Sequence, residues 1–339
     1  MTFDDIRAAA KPLLGGKCKA CPVCNGMACR DVIPGPGAKG DVAVRSYQAW
    51  QDIRLNMDTI YAGGPIDLSA ELLGRRFRYP FFAGPVGAVY LHYGDALDDQ
   101  GYNNILVPAC AEAGICAFTG DGTNYDVMKA AARCILAAGG TGIPTVKPWN
   151  LDTLREKFEL VRASGAFAAA MDIDASGLPF LKGLNPPAGS KTVEELREIV
   201  RMAGVPFLVK GVMTVKGARK AMEAGAAGVV VSNHGGRVLA GCPGTAEVLP
   251  EIVEALRGSG MTILVDGGLR SGTDIFKALA LGADGVLLAR PYVTAVYGGG
   301  AEGVRVLTEK LAAELEAAMT MCGARSIAEI TPDMVRLPH

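Results

Sequence analysis

Residues Val229–Leu239 read VVVSNHGGRVL. Three apolar β-branched residues stop abruptly at Ser232, Asn233 and His234, and two glycines then lead to Arg237. A short, wholly apolar run bounded by a polar turn is the pattern of a strand buried on both faces of a parallel sheet. This one ends beside an imidazole, which exchanges a proton near neutral pH. Three residues on is a guanidinium, which can hold a carboxylate through two hydrogen bonds. Gly235 and Gly236 allow a sharp turn and a close backbone approach to a ligand.

The same unit recurs on both sides of it. Apolar runs stand at Phe81–Gly84, Ile115–Thr119, Pro144–Lys147, Phe167–Ile173, Pro206–Lys210, Gly228–Ser232, Thr262–Asp266 and Gly285–Ala289. Between them lie segments with helical periodicity, such as TLREKFELVRASG, TVEELREIVRMAG, TVKGARKAMEAGA and SGTDIFKALALGA. Strand and helix alternating eight times point to an α/β fold of the (β/α)8 TIM-barrel class. A doubly wound sheet is the rival, but no GxGxxG turn follows the first run. The expected division is a helix, cysteine-rich loop and approach segment over 1–62, the barrel over 63–322, and an irregular tail over 323–339. Residues 302–322 supply a last long helix.

Barrel enzymes place their sites at the C-terminal ends of the strands, so the residue ending each run carries the most weight. The first run opens into Pro85, Val86 and Gly87; the second ends at Thr119; the third at Lys147, with Trp149 just beyond. The fourth runs into Asp172 and Asp174, the fifth into Lys210 and the sixth into Ser232, His234 and Arg237. The seventh gives Asp266, Gly267, Gly268 and Arg270, and the eighth Ala289 and Arg290. A glycine pair before a helix start exposes backbone N–H groups to a phosphate, and Arg270 and Arg290 add positive charge. A phosphate site, two lysines at strand ends and a nearby imidazole together suggest a phosphorylated cofactor.

Totals narrow the class further. The chain has 339 residues, half of them apolar, and a formal charge of −1. That balance argues against broad electrostatic binding to nucleic acid or to an anionic membrane. No uncharged apolar stretch approaches ~20 residues, so no membrane span is expected. The start lacks a basic end followed by an apolar run, and nine cysteines without a secretion signal suggest a cytoplasmic protein with reduced thiols or metal ligands. Cys18, Cys21, Cys24 and Cys29 are dense enough to converge on an iron–sulfur cluster or zinc, although a loop with no cofactor has the same spelling. The other five cysteines read as packing residues.

On VKGV (209–212), SNHGGRVL (232–239), LPEI (249–252), VDGGLRSGTDIFKALALGA (265–283) and RP (290–291), the sequence resembles the FMN-dependent α-hydroxy acid oxidases and dehydrogenases, which include glycolate oxidase and lactate oxidase. The resemblance implies oxidation of a small 2-hydroxy acid to the 2-oxo acid. In it His234 is the base, Asp174 orients and stabilises the protonated imidazole, and Arg237 binds the substrate carboxylate. Lys210 lies by flavin N1 and O2, where fixed positive charge favours the reduced anionic ring. Ser232 and Thr119 help hold the flavin, and Pro85, Val86 and Gly87 follow the ring edge. Asp266 meets the ribityl chain. Gly267, Gly268, Arg270, Ala289 and Arg290 surround the phosphate. The family also suggests a homo-oligomer of four or more subunits.

Four departures accompany the likeness. The family's substrate-contacting N-terminal tyrosine has no counterpart, with Ile33 near its place. Lys147 replaces a flavin-bonding glutamine and becomes a candidate stabiliser of reduced flavin. Trp149 replaces a tyrosine at the substrate. A second carboxylate-binding arginine is missing, with Lys182 near its position. His92 and His339 read as structural or exposed. Two further readings stay open: a flavin-dependent isomerase of the type 2 isopentenyl diphosphate isomerase kind, and a flavin and iron–sulfur electron carrier. An electron-acceptor protein is a possible partner.

Overall fold

The computed structural model describes residues 1–29, 41–178, 181, 183, 184 and 188–338. Eight parallel strands close into a barrel: β1 (Phe81–Ala83), β2 (Ala117–Thr119), β3 (Gly142–Val146), β4 (Ala169–Asp172), β5 (Phe207–Val212), β6 (Gly228–Val231), β7 (Thr262–Val265) and β8 (Gly285–Leu288). Each pairs with the next in sequence, and β8 returns to β1 through Val286↔Phe81, Leu287↔Phe82 and Leu288↔Ala83. Every expected run therefore overlaps a strand, with ends displaced by at most two residues. Displacement of that size is ordinary, because capping and turn geometry, not apolarity, end a strand. Almost all strand residues are buried, since side chains from the strands fill the interior while helices cover the outside.

Among the described residues, eleven helices accompany the strands: α1 (Phe3–Ala10), α2 (Val42–Asp52), α3 (Val89–Tyr93), α4 (Asp99–Glu112), α5 (Tyr125–Ala137), α6 (Leu151–Ala163), α7 (Val193–Ala203), α8 (Val215–Glu223), α9 (Thr245–Leu256), α10 (Gly272–Ala280) and α11 (Arg290–Cys322). Several of their starts are fixed by side-chain caps. Asn150 accepts from the Thr153 amide, Thr192 forms a capping box with Glu195, and Ser271 forms one with Asp274. The last helix begins earlier than residue 302, at Arg290, and breaks its α geometry at Gly300.

Helix α2 positions two of the rim loops. Trp50, fully buried, donates its indole N–H to the Gly267 carbonyl at 2.9 Å. The Lys277 ammonium reaches the Trp50 carbonyl at 2.7 Å, and Asn233 donates to Ser46 Oγ at 2.9 Å. Gly268 has φ +90°, and a Cβ there would lie 2.2 Å from the Ser46 carbonyl oxygen. This glycine is thus required by the approach of α2 as well as by the turn. The tail is less irregular than expected: Val335–Arg336 forms a short antiparallel pair with Arg54–Leu55, and Val335 is buried. Among the described residues, no helix is long and apolar enough to cross a membrane.

Candidate active site

The sixth rim turn holds the base candidate in an unusual backbone state. His234, Gly235 and Gly236 have φ of 56°, 64° and 82°, so three consecutive residues are left-handed. A histidine in that region carries a backbone cost of about 1–3 kcal/mol, which the surroundings must offset. The His234 amide donates to Ser232 Oγ at 3.2 Å, and its Nδ1 lies 2.8 Å from Asp174 Oδ1. Asp174 gets that close because Gly211, at φ +97° in a bulge of β5, has no side chain: a Cβ there would sit 2.4 Å from the Asp174 carboxyl carbon. Burial opposes ionisation of Asp174, but His234 and Lys210 outweigh it and hold the carboxyl below its ordinary value.

Lys210 is buried at the end of β5. Its ammonium donates to Ser232 Oγ at 2.9 Å and lies 3.3 Å from Asp266 Oδ2. Burial disfavours its charge, yet Asp266, Asp174 and Asp172 together raise its pKa, so the cation is retained. Arg237 points along the cleft with its Nη2 3.5 Å from the Tyr93 hydroxyl, a long contact that leaves the guanidinium able to meet an anion. Cleft spaces of 660 Å³ and 670 Å³ share Pro85, Val86, Asp172, His234 and Arg237. One extends over Gly87, His92, Asp121, Thr145 and Lys147; the other over Lys210, Asp266, Gly267, Gly268, Arg270, Ala289 and Arg290.

The opposite wall is built from paired charges. Lys147 donates to Asp172 Oδ2 at 3.1 Å. Asp121 accepts from the Lys147 and Gly122 amides, the Trp149 indole and the Lys157 ammonium, at 3.1, 2.8, 2.7 and 2.6 Å. Trp149, expected at the substrate, belongs to this network. Its indole is committed to Asp121 and it does not line either cleft space. His92, expected to be structural or exposed, lines the cleft on α3. Burial, helped by Arg237 and Lys147, lowers its pKa to about 3. Lys182 and Ile33 lie outside the described residues.

The cysteine-rich loop, expected to hold a cluster or zinc or no cofactor, lies against Arg270. Among the described residues, no group of three or more His, Cys, Asp or Glu side chains is arranged to hold a metal ion. Arg270 fixes the loop differently, donating its Nε–H to the Cys24 carbonyl at 2.8 Å, while the Cys29 thiol turns to the Gly26 carbonyl at 3.7 Å. Burial raises the pKa of Cys18 and Cys21. At Cys24 burial is outweighed by Arg270 and Arg290, which lower it.

Asp121, Thr145, Asp172 and Tyr93 complete the cleft without a role foreseen for them. Asp121 and Asp172 had a visible signal, a carboxylate at or just past a strand end. Tyr93 had none, because only the fold of α3 carries it to Arg237. Fit to FMN can be judged from buried polar atoms without partners among the described residues: Thr119 Oγ1, Thr145 Oγ1, Asp172 Oδ1 and Asp266 Oδ1. Such atoms cost about 1–3 kcal/mol each when unmet. Thr145, Asp172 and Asp266 line the cleft, Asp172 and Asp266 in the part that also holds Lys210, Arg270 and Arg290, and their open atoms suit a polar ring, a ribityl chain and a phosphate.

The comparisons agree with that geometry. The sequence matches the FMN-dependent dehydrogenase family over residues 29–180 and 180–337. It is 48% identical over 148 residues to a peroxisomal (S)-2-hydroxy-acid oxidase of Oryza sativa subsp. japonica, covering 44% of this chain and 39% of that protein. It is 43% identical over 152 residues to an L-lactate dehydrogenase of Allorhizobium ampelinum, covering 45% of this chain and 39% of that one. The matched region thus spans about two fifths of those curated relatives. In structure, a mandelate oxidase superposes with a TM-score of 0.77 at 27% identity, covering 100% of this chain and 99% of its own. A flavocytochrome b2 superposes with a TM-score of 0.81 at 25% identity, covering 99% and 86%. The barrel, the rim and the family match together show that the chain belongs to the FMN-dependent dehydrogenase family.

Proposed function

We propose that the protein oxidises a small 2-hydroxy acid to the corresponding 2-oxo acid, with FMN as the acceptor. One observation carries the reading: His234 and Arg237 face one cleft, with Asp174 2.8 Å behind the imidazole. Arg237 holds the substrate carboxylate and so sets where the 2-hydroxyl lies. Asp174 fixes the tautomer with Nδ1–H toward itself, leaving Nε2 free to take the hydroxyl proton. The imidazolium that results is stabilised by the same carboxylate. FMN supplies a two-electron acceptor for the α-hydrogen when it is bound. Lys210 offers fixed positive charge where negative charge accumulates on reduction. Arg270, Arg290 and the Gly267–Gly268 turn hold the phosphate end, Asp266 and Ser232 the ribityl side, and Thr119, Lys147 and Pro85–Gly87 the ring.

The test is an anaerobic absorbance spectrum of the FMN-loaded protein during addition of 2-hydroxy acids of increasing side-chain size. Bleaching of the oxidised flavin band by at least one of them, with stoichiometric 2-oxo acid, is the expected result. A flavin that stays oxidised throughout the series overturns the reading.

A further inference from the structure

The proposed reaction uses one carboxylate beside His234, but the imidazole has two. Asp174 is at Nδ1, 2.8 Å away; Asp172 Oδ2 is 4.0 Å from Nε2, on the side where the substrate proton arrives. Asp172 ends β4, with a side chain only 10% exposed. Its Oδ2 is held by Lys147 at 3.1 Å, and its Oδ1 has no partner among the described residues. Lys147 is itself anchored, because its backbone amide is tied to Asp121 Oδ2. The carboxyl is therefore fixed in place, half satisfied and adjacent to the reacting nitrogen.

We propose that Asp172 is the proton-holding partner of His234 on the Nε2 side, accepting from the imidazolium the proton that His234 has removed from the substrate hydroxyl. This rests on the reading of His234 as the base. In the oxidation the O–H bond breaks and its proton goes to Nε2. The α C–H bond breaks as the C=O bond forms, and FMN, when bound, would supply the acceptor for that hydrogen and its two electrons. Transfer from Nε2 to Asp172 then returns the imidazole to its neutral form while product is still bound. The 4.0 Å gap closes with about 1 Å of side-chain movement or one bridging water.

The surroundings suit a carboxyl that alternates between protonated and ionised forms. Burial raises its pKa above the ordinary carboxylate value; Lys147, His234 and Lys210 offset part of that, and Asp174 adds to it. Arg237, from the same rim turn, and His92, on α3, line the same cleft space as the imidazole. Asp172 acts through His234 and is a positioning and proton-holding residue, distinct from the base.

The chain has three histidines, so the His234 imidazole can be followed by 15N NMR in the FMN-loaded protein without substrate. Asp172→Asn is expected to lower its titration midpoint by about one unit or more, since an anion within ~4–6 Å favours the charged ring. Lys147→Met, which leaves the carboxyl in place, is expected to shift it upward. Asp172→Glu should restore the wild-type direction. The acidic limb of the pH profile for substrate-driven flavin reduction should follow the same order. An unchanged His234 midpoint in a folded Asp172→Asn protein overturns the proposal. If Asp172→Asn does not fold, no upward shift in Lys147→Met overturns it. Failure of every 2-hydroxy acid to reduce the flavin is a different result and falls on the functional reading, because the titration is made without substrate.

Discussion

The two walls of the cleft use charge in opposite ways. On the wall formed by β5 to β8, polar groups are left open: Arg237 has one long contact to Tyr93, and Asp266 Oδ1 has no partner among the described residues. On the wall formed by β2 to β4, the charged groups are consumed by one another. Asp121 accepts four hydrogen bonds, and Lys157, nearly as buried, is neutralised by it. An open charge costs stability and is available to a ligand. A paired one has little left to offer a ligand but shapes what stands beside it. Asp172 lies at the seam, with one oxygen tied to Lys147 and the other without a partner among the described residues.

This contrast can be broken most severely at His234. Replacement by Gln should slow substrate-driven flavin reduction by about 10²–10⁴-fold, the usual worth of a positioned base. Stopped-flow absorbance measures it, and the flavin spectrum should show that FMN is still held. On the other wall the largest loss should be of stability. Asp121→Ala leaves the buried Lys157 ammonium uncompensated and is expected to cost about 3–5 kcal/mol in urea unfolding. A small stability change there would mean that the paired wall is less closed than its geometry.

Arg237→Ala sharpens the comparison from the open side. Loss of a charged hydrogen-bonding partner for the carboxylate, about 1.5–3 kcal/mol, should lower kcat/KM roughly 10- to 150-fold through KM, with the unfolding midpoint nearly unchanged. The smallest effect concerns acid stability. Asp174 is below its ordinary pKa when folded, so around that value the unfolded chain binds more protons. Its contribution is present above the ordinary carboxylate pKa and is lost as pH falls through the folded value. Asp174→Asn should therefore flatten the acid limb of a stability-versus-pH curve measured by denaturant midpoint.

The open wall was readable residue by residue. Lys210, His234, Arg237, Asp266, Arg270 and Arg290 stand at strand ends in contiguous motifs, and all six line the same cleft. The paired wall was not. Trp149 followed β3 like a substrate residue, but the direction of its indole was decided by Asp121, 28 positions away. His92 had no local signal, because its importance comes from the placement of α3 beside Arg237 and Lys147. The cysteine loop shows the same limit: spacing suggested convergence, whereas Arg270, 246 positions from Cys24, fixed the loop by its backbone.

The sequence by itself determined the eightfold alternation, the barrel, the rim motifs and the family. Those depend on short-range periodicity, and a closed parallel barrel is the arrangement that buries eight apolar runs together. Only the tertiary structure decided which charges pair and which stay open. Pairing depends on distances between side chains from different strands, on Gly211 leaving room for Asp174, and on desolvation at each position. None of these is written in the local order of residues.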